Sequence, residues 1–329
     1  MKVLVTGATG FIGSHLVDNL VDKGYQVSCI IRKSSNIKWL ANKKNIKFVE
    51  ASYKDPNSLE KALKDIDYIY HCAGSTSAHN LEGYMEGNCL PTTNLIEAAI
   101  KMTPNLKRFL YISSQTAAGP ALSPNEPTNE DMPMSPITDY GRSKKIAEEK
   151  LNSYLGKIPF TIVRPPAVYG PRDTEIFSIF KIVNMGIIPH IGFDKKLLSL
   201  VNIFDLCDGI ITAAESINTL GKTYFISSEE IYNWDDVYQT MKNKLGKKNV
   251  LSVRLPHFAV LFAGSVASLV GKFSARPPVF NYQKGIDFIQ KYWICSTKSA
   301  TKDFGYRQKV SLEKGFEDTI KWYKDMKWL

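Results

Sequence analysis

The sequence has few cysteines and no long apolar run, and each shortage excludes a class of protein. Its five cysteines lie far apart, are odd in number and include no Cys-x-x-Cys pair. We therefore expect neither a disulfide framework nor a structural zinc site, and we expect a reduced, cytoplasmic setting. The longest apolar stretch without a charged residue, 258–270, has 13 residues. A membrane-spanning helix needs about 20, so the chain is expected to be soluble or at most peripheral to a membrane.

Acidic residues are also in the minority. Against 42 Lys and Arg stand 32 Asp and Glu, which gives a formal net charge of +10. This excess favours anionic partners such as nucleotides, phosphates, nucleic acid or an anionic membrane surface. The basic residues are spread along the chain and form no recognised nucleic-acid-binding module, so we expect no nucleic-acid partner. The five histidines show no metal-ligand spacing, and we assign no metal site.

Strand-like and helix-like segments alternate over about the first 165 residues. Short β-branched apolar runs such as 2–6 are long enough for buried parallel strands, and apolar residues at helical spacing follow several of them. The predicted strands are 2–6, 26–31, 46–49, 68–72, 109–113 and 160–164. This alternation predicts an α/β fold with a doubly wound parallel sheet over residues 1–165, completed by segments near 200–227. Residues 166–199 and 228–329 are predicted to form a smaller, helix-rich substrate-binding lobe.

A glycine-rich turn stands between the first strand and the first helix. Gly7, Gly10 and Gly13 permit a tight turn, close approach of the backbone to a pyrophosphate and close packing of helix on strand. The N–H groups and the dipole of the helix N-terminus then stabilise the anion. The pattern predicts a dinucleotide site, which we extend to Thr9, Phe11 and Ile12. The alternative is an ordinary tight turn.

The residues that end the second strand bear on the choice of dinucleotide. An acidic side chain there would bind the ribose 2′-hydroxyl of NAD, but the segment 29–35 contains no carboxylate. Arg32 is placed to hold a 2′-phosphate, with Lys33 in support. We therefore expect NADP(H) rather than NAD(H), and we add Ser52 to the cofactor-binding set. The alternative is that Arg32 is a solvated surface residue.

A tyrosine and a lysine stand four residues apart in a predicted helix. Tyr140 and Lys144 then share one face, about one turn apart. A nearby cation lowers the pKa of an acid by about 1–3 units, which would let the phenol exchange a proton with a carbinol or carbonyl. Ser114 closes the fifth strand, where an open α/β sheet places its chemistry. On its own, the Tyr–Lys pair would fit an ordinary surface pair.

Five segments together resemble a known family. They are TGATGFIG at 6–13, HCAG at 71–74, SSQTAAG at 113–119, YGRSK at 140–144 and RPPAVYGPRD at 164–173. In this order they resemble the short-chain dehydrogenases/reductases of the extended type, which include NAD-dependent epimerases/dehydratases. The resemblance implies a Rossmann-type sheet. It also implies a homodimer formed through the helices at 88–101 and 140–154.

The resemblance also implies roles for individual residues. Ser114, Tyr140 and Lys144 would form the catalytic triad. Tyr would be the acid/base, Ser would polarise the substrate oxygen, and Lys would hold the nicotinamide ribose and tune Tyr. Ser113 is a rival for Ser114, although the family's spacing to Gly119 selects Ser114. The remaining implied cofactor contacts are Ala73 and Gly74 beside the adenosine ribose, and Pro165 and Val168 beside the nicotinamide.

Three departures from the family pattern bear on the substrate. Members that act on sugar nucleotides usually carry an Asn where this chain has Ala167, and an Arg where it has Leu198. A diphosphate without these partners would be poorly compensated. Dehydratases tend to carry an Asp-Glu pair where this chain has Gln115 and Thr116, so dehydration is disfavoured.

These features favour an NAD(P)-dependent oxidoreductase of a hydrophobic secondary alcohol or ketone, similar to the 3β-hydroxysteroid dehydrogenase-like branch. We assign Ser75, Gln115, Ala167 and Tyr169 as candidate substrate contacts. Two alternatives remain: a nucleotide-sugar 4-epimerase that retains NAD, and a non-catalytic sensor that binds a dinucleotide. The presence of Ser, Tyr and Lys together argues against the sensor, which needs no proton relay.

The segment 258–270 has bulky apolar residues on one helical face and small residues on the other. Three uses are open. It could line a pocket for a lipophilic substrate, pack as ordinary core, or make peripheral contact with a membrane, since Lys272 and Arg276 flank it.

Overall fold

The computed structural model describes residues 1–274, 277–278 and 280–329. Its strands are β1 (Lys2–Thr6), β2 (Gln26–Ile31), β3 (Ile46–Glu50), β4 (Tyr68–His71), β5 (Arg108–Ile112), β6 (Phe160–Arg164), β7 (Ala167–Tyr169), β8 (Ile187–Ile191), β9 (Leu197–Leu198), β10 (Leu200–Asn202), β11 (Lys222–Phe225), β12 (Tyr232–Asn233), β13 (Leu251–Leu255) and β14 (Tyr292–Trp293). Arg276, which the sequence analysis places beside the 258–270 segment, lies outside the described residues.

The helices follow the same chain order. They are α1 (Phe11–Asp22), α2 (Pro56–Ala62), α3 (Leu81–Tyr84), α4 (Leu90–Met102), α5 (Gln115–Ala118), α6 (Asp139–Asn152), α7 (Glu175–Asn184), α8 (Ile203–Glu215), α9 (Trp234–Lys244), α10 (His257–Gly271), α11 (Tyr282–Ile289), α12 (Lys298–Phe304) and α13 (Leu312–Asp325). A π-helical turn, Met85–Cys89, joins α3 to α4, and a 3₁₀ turn, Ile217–Thr219, precedes β11.

Seven strands form one sheet in the order β11-β6-β5-β4-β1-β2-β3. Every neighbouring pair in it is parallel. The order reverses at β1 and β4, because β2 and β3 extend the sheet on one side and β5, β6 and β11 extend it on the other. Ligands of such sheets bind at this reversal, outside the carboxyl ends of the strands. The predicted doubly wound parallel sheet is confirmed.

The central strands are buried on both faces, which explains their continuous apolar sequences. All residues of β4, β5 and β6 are buried. Helices α1 and α8 cover one face, around Leu16 and Ile210, and α2, α4 and α6 cover the other, around Leu95 and Leu151. Each strand predicted in the first 165 residues is present within about a residue of its predicted bounds.

The second lobe contains short strands that the sequence analysis did not predict. β9 pairs with β12 and β14, β7 pairs with β10, and β8 pairs with β13. Several of these strands have only two or three residues, which is too short for an alternating pattern to show. The prediction of a helix-rich lobe is therefore incomplete. Helices α7, α9 and α13 pack around an aromatic core, in which the rings of Phe180 and Phe316 lie 5.1 Å apart.

Helix α10 contains the 258–270 segment, and its bulky residues point away from the core. Its buried residues are Val260, Gly264 and Gly271. By contrast, Phe258 and Phe262 are 75% and 70% exposed. The alternative that this segment is simply core packing is wrong for its large side chains. In the part of the chain that the structure describes, no helix is long and apolar enough to cross a membrane.

Candidate active site

The glycine turn predicted to hold the cofactor joins β1 to α1. Gly7 has a φ of +65°, and a Cβ there would lie 2.7 Å from the Ala73 amide nitrogen. A Cβ on Gly13 would lie 2.2 Å from the Gly7 carbonyl oxygen. A side chain at Gly13 would push α1 away from the end of β1, and one at Gly7 would clash with the backbone that follows β4. The glycines therefore bring the start of the helix close to the carboxyl edge of the sheet.

The N-terminal end of α1 is open to an anion. Gly10 caps the helix without a side-chain hydrogen bond, and the first turn carries no acidic residue. A Cβ on Gly10 would meet only the Gly7 carbonyl, at 3.3 Å, so space remains outside the turn. Backbone N–H groups at such an end bind phosphate. The turn therefore fits a dinucleotide pyrophosphate.

The other residues predicted on this turn are only partly accessible. Thr9 is half-buried. Phe11 and Ile12 are also half-buried, and both pack against the core beside α1. A contact between these two residues and a cofactor would thus come mainly from their backbone at the start of the helix.

A cleft of about 420 Å³ lies at the carboxyl ends of β2 and β3. Its lining residues are Arg32, Lys33, Ser34, Glu50, Ala51, Ser52, Asp55 and Ser58. The structure thus brings together Arg32, Lys33 and Ser52, three of the residues predicted at the adenosine end of the cofactor. It also adds Glu50, which the sequence analysis missed because this residue ends the next strand. The Glu50 carboxylate lies 4.0 Å from the Lys33 ammonium, and both side chains are exposed.

Two residues of the predicted triad meet at the ends of two helices. Ser114 is the N-cap of α5, and its hydroxyl accepts hydrogen bonds from the Thr116 amide at 3.2 Å and the Thr116 hydroxyl at 2.9 Å. The Ser114 hydroxyl lies beside the phenol of Tyr140, in the first turn of α6, close enough to lower the pKa of that phenol. The two hydroxyl groups therefore converge beside the end of β5, where a substrate oxygen could contact both.

The pKa of Tyr140 departs from the prediction. Burial raises it above the usual value of a tyrosine, and the negative charge of Glu175 raises it further. The hydrogen bond from Ser114 lowers it, but by less than burial raises it. The prediction that the pKa of this phenol is lowered is therefore wrong. The physical reason is that desolvation of the phenolate dominates, and the carboxylates of Glu175 and Asp287 add to it.

Lys144 is buried beneath the loop that follows β4. Its ammonium donates to the Ile112 carbonyl at 2.8 Å and to the Tyr111 hydroxyl at 3.2 Å. Burial lowers the pKa of Lys144 to about 8, against the opposing effect of Glu148. A Cβ on Gly74 would come within 3.5 Å of the ammonium nitrogen. A side chain at position 74 would therefore crowd the Lys144 ammonium, which is buried.

Ser113 and Ser114 have different contacts. Ser113 is buried and donates to the carboxylate of Glu148. That carboxylate also forms a buried ion pair with Arg164, with a separation of 2.6 Å. Ser113 therefore serves a buried charged network, whereas Ser114 faces Tyr140.

Asn88 is a site residue that the sequence analysis missed. It lies in the π-helical turn Met85–Cys89, and its amide donates to the Ser143 hydroxyl at 2.9 Å and the Ser75 carbonyl at 3.1 Å. Its side-chain oxygen accepts from the Ser75 amide at 2.7 Å. These bonds hold the loop at Gly74 against α6. A single π-helical turn leaves no periodic signal in sequence, although such turns often mark functional sites.

A group of charged residues from the second lobe covers Tyr140. The Lys284 ammonium lies 3.3 Å from the Glu175 carboxylate. Burial raises the pKa of Asp287 to about 6, while Lys284 lowers it and Glu175 raises it. The ring of Tyr84 lies 5.8 Å from that of Tyr140. None of these residues was predicted, because they converge only when α7 and α11 pack against α6.

Helix α11 is tied directly to the start of α6. The Asp139 amide donates to the Gln283 side-chain oxygen at 3.1 Å, and the Gln283 amide donates to the Asp139 carboxylate at 3.0 Å. Because Tyr140 follows Asp139, these bonds fix the second lobe next to the phenol. The substrate side of the site is thus formed between α6 and α11.

The structure separates the four candidate substrate contacts. Ala167 is exposed, and Ser75 is half-buried in the loop held by Asn88. Gln115 is buried, and its side-chain amide nitrogen has no hydrogen-bond partner among the described residues. Tyr169 is buried, and its ring packs edge-on against Phe316 at 5.0 Å. The prediction that Tyr169 contacts substrate is therefore wrong, because its side chain belongs to the core of the second lobe.

The two positions flanking the nicotinamide region lie along the exit of β6. The Pro165 carbonyl accepts a hydrogen bond from the Gln115 amide at 2.8 Å. Val168 is half-buried in β7, opposite Val201 of β10. Both residues therefore lie near the carboxyl end of β6, next to the end of β5 that Ser114 follows.

Leu198 also lies in the core. It is 3% exposed and belongs to the same apolar cluster as Phe316. The ammonium of the nearby Lys196 donates to the carbonyls of Ile289 and Gln290, at 2.6 and 3.0 Å. These hydrogen bonds hold the Lys196 ammonium at the end of α11, so Lys196 does not replace the arginine that is missing at Leu198.

Comparison with known proteins gives a family match over most of the chain. The profile of the "NAD dependent epimerase/dehydratase family" matches residues 3–227. That range contains the glycine turn, the cleft at Arg32 and the Ser114, Tyr140 and Lys144 cluster.

Curated relatives match nearly end to end but carry different activities. A ceramide reductase from Caulobacter vibrioides is 26% identical, over 99% of this chain and 96% of its own. A decarboxylating sterol-4-alpha-carboxylate 3-dehydrogenase from Dictyostelium discoideum is 25% identical, over 96% and 99%. A UDP-glucose 4-epimerase from Vibrio cholerae is 30% identical, over 97% and 94%. These matches extend the similarity into the second lobe.

A solved structure gives the same result for the fold. The UDP-glucuronic acid 4-epimerase from Bacillus cereus, in complex with NAD, has a TM-score of 0.79 and 25% identity. The match covers 99% of both chains. The comparison structure contains NAD, which agrees with the dinucleotide cradle at the glycine turn.

Proposed function

The chain belongs to the NAD dependent epimerase/dehydratase family, and from this premise we propose that it is an oxidoreductase that moves a hydride between NADP(H) and a hydrophobic secondary alcohol or ketone. The observation that carries the proposal is the contact of Ser114 with Tyr140 beside the end of β5. Two neighbouring hydroxyl groups can both hydrogen-bond the oxygen of a substrate carbonyl or carbinol. The proposed substrate class is hydroxysteroid-like or another lipid.

The residues of the site divide the proton chemistry between them. A bound nicotinamide supplies or accepts the hydride. When a ketone is reduced, Tyr140 donates its phenolic proton to the carbonyl oxygen while Ser114 hydrogen-bonds the same oxygen, and the product is the alcohol. Because burial raises the pKa of Tyr140, the phenol is protonated near neutral pH. That is the form required for reduction.

The cofactor would lie along the edge of the sheet between two groups of residues. The glycine turn would hold the pyrophosphate, Ala73 and Gly74 would lie beside the adenosine ribose, and Lys144 would hold the nicotinamide ribose. At the other end, Arg32 in its cleft supports a 2′-phosphate, which would favour NADP(H). The Lys33 ammonium lies 4.0 Å from the Glu50 carboxylate and therefore already faces a negative charge. For this reason, the proposed preference for NADP(H) rests on Arg32.

Two observations support a hydrophobic substrate. Ala167 and the buried Leu198 offer no partner for a diphosphate at the positions where the sugar-nucleotide branch carries Asn and Arg. The ceramide reductase and the sterol dehydrogenase, both named for lipid substrates, match this chain over at least 96% of its length. A diphosphate bound at these positions would lose water without gaining a partner.

The second candidate is a nucleotide-sugar 4-epimerase with retained NAD. The UDP-glucose 4-epimerase from Vibrio cholerae, which is 30% identical over 97% of this chain, favours it. An epimerase returns the hydride to its own substrate, so it consumes no cofactor. An oxidoreductase converts one cofactor molecule for each substrate molecule.

The test is net cofactor turnover with two substrate panels. Purified protein is supplied with NADPH or NADH and either a keto-sterol and a keto analogue of a sphingolipid, or UDP-glucose. We expect stoichiometric NADPH oxidation with at least one keto-lipid and no conversion of UDP-glucose to UDP-galactose. The Tyr140→Phe variant is the blank. Interconversion of the two UDP-sugars without net cofactor oxidation would establish the second candidate instead.

A further inference from the structure

Helix α10 packs against α11 largely through small residues, and most of its bulky residues are exposed. A Cβ on Gly264 would lie 2.9 Å from the Asn281 carbonyl oxygen. A Cβ on Gly271 would lie 2.6 Å from Cδ of Pro278. The Ser268 hydroxyl accepts a hydrogen bond from the Tyr282 amide at 2.9 Å. The small side is thus pressed against α11 and the turn before it, which is the reverse of the usual packing of a surface helix.

The exposed residues form one continuous apolar surface, which we call the outer face of α10. Its members are Phe258, Phe262, Val266, Leu269, Val270 and, just beyond the helix, Phe273. Their spacing of mostly three and four residues places them along one side of the helix. Phe273 is 90% exposed. Scattered apolar residues are ordinary on protein surfaces, but a contiguous aromatic stripe marks an interaction site.

The outer face extends past the start of the helix. The Gly192 amide donates to the Leu255 carbonyl at 2.8 Å, and a Cβ on Gly192 would meet the His257 ring. Gly192 therefore places Phe193, which is 75% exposed, beside the first turn of α10. Two separate segments of the second lobe contribute large apolar side chains to the same end of the surface.

The charge of this part of the chain is entirely of one sign. Between Asp236 and Asp287 the sequence contains eight Lys and Arg and no Asp or Glu. The net charge is therefore less evenly spread than the sequence analysis assumes. Among the described residues of this stretch, Lys272 is exposed next to Phe273, and the Arg254 guanidinium lies 5.9 Å from the centre of the Phe193 ring. Cations therefore flank both ends of the outer face.

From this arrangement we propose that the outer face of α10 inserts into the interface of an anionic lipid bilayer, with the helix lying in the membrane plane. An apolar surface flanked by Lys and Arg binds membranes by burying its apolar side chains while its cations attract anionic headgroups. A helix of 15 residues is about 22 Å long. That length is shorter than the ~30 Å hydrocarbon core, so the helix can lie on the bilayer but cannot span it.

A second copy of the chain fits this surface less well. A two-fold interface brings the same residues of both copies together. It would bring the cations of the 237–286 stretch towards those of the other copy, with no acidic residue of that stretch to balance them. An anionic bilayer instead complements the charge at both ends.

The position of this surface also bears on substrate entry, a consequence that rests on the proposed function. Helix α10 packs on α11, and Gln283 of α11 hydrogen-bonds Asp139 next to Tyr140. One helix thus separates the outer face from the edge of the catalytic cleft. A lipid ketone could then reach Tyr140 from the bilayer with little exposure to water.

The test is flotation of the full-length protein with lipid vesicles, without substrate. One set contains phosphatidylcholine with phosphatidylglycerol, and the other contains phosphatidylcholine alone. We expect binding to the anionic vesicles, and a loss of at least about 10-fold in partitioning for the double variant Phe258→Ser/Phe262→Ser. Leu122→Ser is the matched control, because Leu122 is 97% exposed on a different part of the chain. It should bind as the wild type does.

A charge variant separates the electrostatic contribution to membrane binding from the contribution of the apolar side chains. Lys272→Glu should weaken binding to anionic vesicles and leave any weak binding to phosphatidylcholine unchanged. Unchanged cofactor affinity and melting temperature show that each variant is folded. The proposal is overturned if the wild type stays in solution with anionic vesicles, if the double variant floats as the wild type does, or if the double variant only turns a dimer into a monomer. Because no substrate is present, none of these results depends on the proposed enzymatic reaction.

Discussion

The Ser114 hydroxyl lies beside the phenol of Tyr140 and lowers the pKa of that phenol, although the two residues belong to the starts of different helices. The neighbouring Ser113 donates to Glu148 instead. Two adjacent serines therefore have different tasks. One lies beside the proton donor that we propose, and the other completes a buried ion pair.

If Tyr140 supplies the proton, removing its hydroxyl should stop the reaction and spare cofactor binding. We expect Tyr140→Phe to lower kcat by about 10²–10⁴-fold, the usual contribution of a general acid. The dissociation constant for NADPH should stay within about twofold of the wild type, because the ring still fills its space. Turnover is measured with the keto-lipid, and cofactor affinity by fluorescence titration.

Tyr84→Phe is the matched control, since its ring lies 5.8 Å from that of Tyr140 in the same cleft. This variant should keep most of its activity. If Tyr140→Phe turned over at the wild-type rate, Tyr140 would not be the acid. If both variants were inactive, the cleft rather than one phenol would be responsible.

The two serines should respond differently to the same substitution. Ser114→Ala should lower kcat by at least about 10-fold with little change in stability. Ser113→Ala should leave kcat per folded molecule near the wild-type value and lower the free energy of unfolding by about 1–3 kcal/mol, because the buried Glu148 loses a donor. Urea denaturation and active-site-normalised turnover measure the two effects. The opposite pattern would exchange the roles of the two residues.

The preference for NADP(H) depends on one cation. Arg32→Ala should weaken NADPH binding by about 10–100-fold, the loss expected for charge-assisted hydrogen bonds to a phosphate. NADH binding should change by less than about threefold, since NADH lacks the 2′-phosphate. Lys47→Ala, a substitution of an exposed cation on β3 outside the cleft, is the control and should alter neither affinity. An equal loss for both cofactors would show that Arg32 does not distinguish them.

Buried histidines make the fold sensitive to acid. Burial lowers the pKa of His71 to about 3 and that of His15 to about 4. A histidine whose folded pKa is depressed binds fewer protons in the folded state than in the unfolded state. Its contribution to stability is therefore complete above pH 6.5 and is lost as the pH falls towards the folded value. At pH 5, each should cost about 2 kcal/mol.

The measurement is urea denaturation between pH 7.5 and 5, compared with that of His71→Gln. His71 lies between the hydroxyls of Thr6 and Thr92, at 2.7 and 2.9 Å, so the variant will be less stable at every pH. The informative quantity is the slope with pH, which should be shallower in the variant. An identical slope would show that His71 does not contribute to acid sensitivity.

The sequence predicts the sheet and the strand ends well, because both depend on local patterns. Buried parallel strands are continuous apolar runs, and their ends carry the glycine turn and Ser114. Asn88 could not be found in this way, because its π-helical turn has no period. Glu175 and Asp287 are distant in sequence, and only the packing of α7 and α11 in the folded chain brings them to Tyr140.

Two wrong predictions have one physical cause. The effect of Lys144 on Tyr140 and the contact of Tyr169 with substrate both required knowledge of burial. The environment of the phenol raises its pKa, and the Tyr169 ring is buried against Phe316. Spacing along a chain shows which residues can meet. It does not show how deeply they are buried, and burial determines both the pKa of Tyr140 and the position of Tyr169.

The central claim is that the substrate cleft accepts a hydrophobic group and has no site for a nucleoside diphosphate. The most direct measurement is a calorimetric titration of UDP, and then of dTDP, into cofactor-loaded protein. The account predicts no binding tighter than about 0.1 mM, which is roughly −5.5 kcal/mol, because Ala167 and the buried Leu198 give a diphosphate no partner. Saturable binding of either nucleotide below about 0.1 mM would contradict it and make the sugar-nucleotide epimerase the leading function.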